Sequence, residues 1–365
     1  MQLENYLLYL EKTAAASSDK VQKHLVKKFI EEGIAVKNSD VSGQLCLKGF
    51  ETVDISDKSL TEQLLACLHA SERARLLYER WEFEKDYKYS VVFSCDNFPD
   101  LFKTVSQINP LQDICENEYI STSFEKPVAP VAYHTTEYSF LKFNLIFAAV
   151  HPLTQEEFLL KYPFLVVFHP NGELIEFRFD VVKRLFVSGK QETTIYADLI
   201  ASMRAYLEKN FSCKLSPLDM DFMVNASNTE PTVKLIAQFM KLPNGGKAQL
   251  EVGNNQEYVL PVIGELKALL SAFQTELESI PDFKDALEQF MYEMEEMSDY
   301  PWIELLWENE IKTRGIHVKF IFNYMRNDYC LIQHYSSNVL IGMERMNHVI
   351  KYIIRHRNDD QGQTE

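Results

Sequence analysis

Residues 164–180 read FLVVFHPNGELIEFRFD. Two runs of β-favouring residues flank Pro170-Asn171-Gly172, in which Asn-Gly is able to take the positive φ angles of a tight turn, so the stretch predicts a β-hairpin. In its second run Ile175, Phe177 and Phe179 alternate with Glu176, Arg178 and Asp180, which predicts a strand with one buried and one wet face. An amphipathic segment at 193–210, TTIYADLIASMRAYLEKN, follows and would cover such a sheet. The expected class is therefore α+β, with mainly antiparallel sheet built from hairpins and helices laid over it.

The same order recurs. TVKLIAQFM and AQLEVG bracket LPNGGK (242–247) ahead of a helical pattern at about 262–278, and HVKFIFNYM and YCLIQHYSS bracket Arg326-Asn327-Asp328 ahead of a closing helix at 338–357. Hairpin starts near 164, 233 and 317 point to ββα units, without the residue-level identity of a solenoid. Upstream the texture is helical. Residues 17–32 place Val21, Leu25 and Phe29 on one face, 59–83 carry a long apolar stripe, and QLCLKGF between them reads as a short strand. The expected organisation is a mainly helical segment 1–88, an α+β domain 89–215 around a central antiparallel sheet, and an α+β domain 216–365 with a C-terminal hairpin and closing helix.

Composition bounds the class. Of 365 residues, 46% are hydrophobic, with 24 Phe and 18 Tyr against 12 Gly and 13 Pro, which excludes a disordered or collagen-like chain. The six cysteines are scattered without a C-x-x-C pair, so neither a disulfide framework nor a zinc site is signalled. MQLENYLLYLEK reads as a short amphipathic helix rather than a leader, and no apolar run approaches the roughly 20 residues of a membrane span. A cytoplasmic setting is expected. Net charge is −16, with the acid concentrated in the middle of the chain. Such a field repels phosphate backbones, leaving Lys20–Lys28 and Arg345–Arg357 as the places where nucleic acid would bind.

Residues 119–124, YISTSF, are followed 33 residues after Ser121 by TQEEFLLKYPFLVVF, which contains Gln155-x-Glu157 before an apolar strand. Over about 40 residues this pattern resembles ADP-ribosyltransferases of the arginine/Ser-Thr-Ser/glutamate type. The resemblance implies that Ser121, Thr122 and Ser123 would line an NAD site, with Gln155 and Glu157 beside the ribose. Glu157 would stabilise the positive charge that develops on the sugar when the nicotinamide bond breaks. Arg80, the last arginine before the motif, would meet the phosphates. NAD is the cofactor of that reading alone.

No Gly-rich phosphate loop, H-E-x-x-H or G-x-S-x-G occurs. His151 and His169 each precede Pro, a position of structural punctuation. The leading expectation is a macromolecule-binding subunit or adaptor, whose partner is another protein or a second copy. Phe283, Leu287, Phe290, Met294 and Met297 follow 4-3-4-3 spacing in PDFKDALEQFMYEMEEM, and Val339, Met343, Met346, Ile350 and Ile353 repeat it in the last helix. Trp302 and Trp307 would serve as interface anchors. Arg345, Lys351 and Arg355 would meet an acidic partner.

Overall fold

The structure is a computed structural model that describes residues 3–37, 52–110, 119–150, 157–187, 191–226, 232–241, 246–251, 266, 269–296, 299–308, 315–335 and 342–362. The chain forms two compact units, Met1–Lys85 with Phe93–Ser216 and Asp86–Val92 with Pro217–Glu365. Each combines antiparallel strands with helices, the α+β class read from the hairpins.

The first unit opens with helices α1 (Leu3–Ala15), α2 (Asp19–Glu31), α3 (Leu60–Ala70) and α4 (Glu72–Glu84). Their apolar faces meet in a core that includes Leu10, Leu25, Phe29, Leu64, Leu68 and Tyr78. The stripe over 59–83, expected as one helix, is two. Ser71 is extended (φ −129, ψ 120), and its Oγ accepts the Ala74 N–H, so one residue ends α3 and caps α4. Strands β1 (Ala35–Val36) and β2 (Val53–Asp54) form a short parallel pair, while the strand expected in QLCLKGF lies outside the described residues.

Strand β3 (Tyr89–Cys95) and helix α5 (Phe98–Ser106) precede the sheet of this unit. Its centre is the pairing of β6 (Ser139–Val150) with β7 (Glu157–His169), antiparallel along their whole length. β7 pairs with β8 (Leu174–Phe179), while β4 (Ile120–Ser121) and β5 (Val131–His134) pair with β6. The hairpin of residues 164–180 is present, but its turn differs from the expected one. Pro170–Gly172 make a single 3-10 turn, and the left-handed residue is Glu173 (φ 51) rather than Asn171 or Gly172, giving a four-residue connection between His169 and Leu174.

The larger correction concerns the wet face of β8. Phe177 and Phe179 lie on the side covered by α6 (Gln191–Phe211), where Phe179 meets Tyr196 at 5.6 Å and Phe143 of β6 meets Tyr206 at 5.0 Å. Glu176 and Arg178, on the opposite side, are fully buried as well. Arg178 donates from Nε and Nη2 to Glu176 Oε2 at 2.8 and 2.6 Å, and His169 Nε2 lies 3.0 Å from the same oxygen. The register Lys142↔Leu165↔Arg178 puts Lys142 on this face too, and Lys161, opposite Ile146, shares it.

Helix α4 answers these charges. Lys142 Nζ lies 2.5 Å from Glu79 and 2.7 Å from Glu82, and Lys161 Nζ bonds both carboxylates, that of Glu82 at 2.6 Å. Tyr6 of α1 donates its hydroxyl to Glu79 at 2.9 Å, and the Lys161 N–H donates to Thr13 Oγ1 of α1 at 2.7 Å. The N-terminal helices thus cover the polar face, and they do so by carrying opposite charge to it. Period-two alternation identified that face correctly; it could not show that another element neutralises it.

After the short strand β9 (Leu215–Pro217), the second unit has β10 (Val233–Lys241), β11 (Lys247–Glu251), β12 (Asp299–Trp307), β13 (Ile316–Ile321) and β14 (Leu331–Tyr335) in antiparallel sheet of order β11-β10-β12-β13-β14, and Tyr89 and Ser90 pair with β14. The β13–β14 connection turns at Asn323, Met325 and Arg326, all with positive φ, rather than at 326–328. Helices α7 (Gln274–Leu277) and α8 (Pro281–Glu296) fall between β11 and β12, and α9 (Glu344–Gly362) closes the chain. Met346, Val349, Ile350 and Ile353 of α9 are buried, as are Ile303, Leu305, Val318 and Phe320 of the sheet, and Trp307 of β12 meets Tyr352 of α9 at 5.2 Å.

Breaking the buried ion cluster leaves a charge without its partner in a dry interior, which costs about 3–5 kcal/mol. Lys161→Met is expected to lower the urea-unfolding free energy by that order. Burial alone would push the Glu79 carboxyl up, but Lys142 and Lys161 hold it down at about 2, below its ordinary 4.5. A carboxyl depressed on folding stabilises above its unfolded value, and the contribution is lost as pH falls through the folded value. Stability of the first unit should decline from about pH 4.5 toward pH 2, and less steeply in the Lys161→Met variant. Equal profiles for the two would refute the assignment.

Candidate partner-binding surface

Residues 269–291 combine helix-forming sequence with apolar side chains that the second unit does not bury. Residues 269–272 are helical and continue into α7 through the bonds from Phe273 N to Leu269 O and from Leu277 N to Phe273 O. Pro281 then starts α8, where its fixed φ suits the first helical turn and its missing N–H costs nothing. At about 100° per residue, Lys284, Leu287 and Met291 share one side of α8. Met291 is buried, and Lys284 and Leu287 are half-buried, so this is the inward stripe. Phe283 and Phe290 point roughly a quarter-turn away from it. The 4-3-4-3 seam is therefore split between core and surface.

The consequence is a concentrated apolar surface. Leu269, Phe273, Ile280, Phe283 and Phe290 are 53, 51, 55, 57 and 50% exposed. No other stretch of the described residues exposes large apolar side chains so densely. Each aromatic ring left half in water retains about 1 kcal/mol or more to be gained on burial. The segment is acidic, with Glu276, Glu278, Asp282, Asp285 and Glu288 all exposed; on α8, Asp282 stands about 90° from the two rings and Asp285 and Glu288 about 150°. Lys284 is the one cation between 269 and 291, and its Nζ lies 3.8 Å from Glu288.

The other expected partner contacts are placed differently. Met294 lies in the last turn of α8, and Met297 lies outside the described residues. Trp307 is buried, with its ring 5.2 Å from that of Tyr352 and 6.1 Å from that of His348, so it anchors α9 rather than a partner. Trp302 is half-buried, stacked on Phe239 at 6.3 Å with Lys319 Nζ 3.3 Å over its ring. Arg345 is buried and donates to the Tyr335 carbonyl at 2.6 Å and to Asp86 at 3.2 Å, tying the first turn of α9 to its own unit. Lys351 and Arg355 are exposed on α9. Of the seam of the last helix, Met346, Ile350 and Ile353 are buried and Met343 is half-buried, while Val339 lies outside the described residues. On α2, Lys20, Lys23 and Lys27 are exposed; Lys27 lies 3.4 Å from Glu31 and Lys28 3.6 Å from Glu84.

The residues of the transferase resemblance are spread along the first unit. Ser121 is buried, and its Oγ accepts the Val128 N–H at 2.9 Å. Thr122 is exposed, and Ser123 Oγ accepts the Glu125 N–H. Ser121 pairs with Leu145 of β6, whereas the exposed Glu157 pairs with Val150, an offset of about 16 Å along the strand. Gln155 lies outside the described residues. Arg80 bonds Glu84 at 2.8 Å and sits over the Tyr133 ring. Ser121 and Glu157 are thus not brought together. Among the described residues no group of three His, Cys, Asp or Glu side chains is arranged to hold a metal ion.

Two clefts are lined by charged residues. One, of about 370 Å³, lies in the second unit between Asp219, Asp221, Asn323 and Asp328, where burial and the neighbouring Asp219 raise the Asp221 carboxyl. The other, of about 430 Å³, lies in the first unit between Lys28, Arg73, Arg80 and the carboxylates of Glu31, Glu32 and Glu84.

A surface that serves contact rather than folding tolerates loss of its apolar groups. Phe283→Ser with Phe290→Ser is expected to cost no more than about 1 kcal/mol per site, whereas Met291→Ala should cost about 2 kcal/mol or more. Thermal melts of the two variants check this, and a larger loss in the phenylalanine variant would make those rings part of the core. Comparison with protein-family models, with curated proteins and with solved structures finds no match to this chain.

Proposed function

We propose that this protein works by binding another protein, as a subunit or adaptor of a larger assembly, through the α7–α8 surface. The observation that carries the reading is the run of half-exposed Leu269, Phe273, Ile280, Phe283 and Phe290 in a segment rich in exposed carboxylates. Apolar area of this density, edged by charge, is the usual form of a contact site. The rings supply the energy of association and the carboxylates its selectivity. No comparable observation favours ADP-ribosyl transfer or nucleic-acid binding. The Ser121 hydroxyl is engaged by Val128, and Lys27 and Lys28 face the carboxylates of Glu31 and Glu84. We place the activity in the cytoplasm, supported by Cys95 and Cys213, neighbours held as thiols, with burial first and Cys95 second pushing the Cys213 thiol up to about 12.

The test is affinity capture from the native cells with the tagged chain and with its Phe283→Ser, Phe290→Ser variant, the bound protein being quantified by mass spectrometry. One protein recovered in near-stoichiometric amount, and at least about tenfold less of it on the variant (about 1.4 kcal/mol), is the expected result. Equal recovery on both would overturn the assignment of the surface.

A further inference from the structure

We infer that the occupant of the α7–α8 surface is a cationic amphipathic helix; the inference rests on the protein-binding reading above and adds the chemistry of the partner. Three features of the surface define that chemistry. The first is the backbone. Along α7 and α8 the N–H and C=O groups are spent on helical bonds and on the connections at Phe273, Leu277, Ile280 and Phe283, so the surface offers side chains and no strand edge. A segment that is dried against it must satisfy its own backbone, and a helix does so within itself.

The second is the spacing. Phe283 and Phe290 stand seven residues apart on one line of α8, which at about 1.5 Å per residue is roughly 10 Å, or two helical turns. Anchors at i, i+3 or i+4, and i+7 of a partner helix fall at that distance. Ile280, Phe273 and Leu269, exposed as well, add apolar side chains just before the start of α8.

The third is the charge. Glu276, Glu278 and Asp282 are exposed in the stretch from Phe273 to Phe283, Asp285 and Glu288 add negative charge farther round α8, and the one lysine, Lys284, lies against Glu288. A second copy of this chain would bring like carboxylates together, which disfavours self-association through this face. Nucleic acid and anionic lipid are repelled for the same reason. The complementary surface is a leucine- or aromatic-lined stripe flanked by Lys and Arg.

The experiment uses the full chain and a fluorescein-labelled synthetic peptide of Leu and Lys, about 18 residues long, with Leu at i, i+3, i+4 and i+7. Two controls accompany it, a Leu/Glu peptide of the same pattern and a Leu/Lys peptide of the same composition with its order scrambled. Binding is followed by fluorescence anisotropy at low and high salt. The patterned Leu/Lys peptide is expected to bind at least about tenfold more tightly than either control and to lose about tenfold on Phe283→Ser with Phe290→Ser. Neutralising the carboxylates between Phe273 and Phe283 with Glu276→Gln, Glu278→Gln and Asp282→Asn should flatten the salt dependence, with folding checked by circular dichroism.

Equal binding of the scrambled peptide would reduce the effect to bulk charge and overturn the inference. So would equal binding of the Leu/Glu peptide, or affinity unchanged by loss of the two rings. If any of these occurs while a cellular partner is still captured through Phe283 and Phe290, the partner's chemistry is wrong and the protein-binding reading stands. If capture also fails to depend on those rings, both fall.

Discussion

The first unit depends on four charged side chains that water does not reach. Glu79 and Glu82 descend from α4 onto Lys142 and Lys161 of the central strand pair, and the four form a closed ring of ion pairs. Removing such groups from water is costly, and the cost is recovered only when each finds its counter-charge at hydrogen-bond distance. The ring therefore does not add generic stability so much as fix one arrangement. A helical layer shifted by a turn would leave two ammonium groups and two carboxylates unpaired. Tyr6 and Thr13 bring α1 into the same arrangement, so α1, α4, β6 and β7 are positioned by one network.

The sequence carried most of this architecture and concealed its central device. Hairpin 164–180, the amphipathic segment covering it and the α+β class follow from periodicity alone, because period-two and 3.6-residue patterns need only one buried face to be visible. Glu176 and Arg178 obey the same alternation as solvated residues would, and the acids that pair the lysines of their face lie in α4, remote in sequence. A signal was available nonetheless. Lys142 sits inside FLKFNLIF and Lys161 inside FLLKYPFLVVF, single cations in otherwise apolar strands. Two isolated lysines in core strands demand two acids elsewhere, and the Glu79/Glu82 pair on a helix face, one turn apart, meets the demand.

On the partner side, residue type proved a poorer guide than position on the helix. Trp307 and Arg345 have the chemistry of interface anchors, yet both are consumed in holding α9 to its own unit. The 4-3-4-3 spacing in α8 located an apolar helix correctly, but a heptad pattern does not say which of its members face inward. Met291, outside the pattern, took the buried place, and Phe283 and Phe290 were left outward. Local patterning reads faces; only the packing of neighbouring elements says what covers them.

The ion ring also bears on the order in which the chain is made. Glu79 and Glu82 precede Lys142 by 63 and 60 residues and Lys161 by 82 and 79. During synthesis the helical segment leaves the ribosome with both carboxylates solvated, and docking onto them must wait until β6 and β7 have emerged. Until then the negative charge on α4 keeps that helix face hydrated and discourages it from packing on the wrong strand. Closure then comes late, through contacts distant in sequence, and is a step paced by topology rather than by local helix formation.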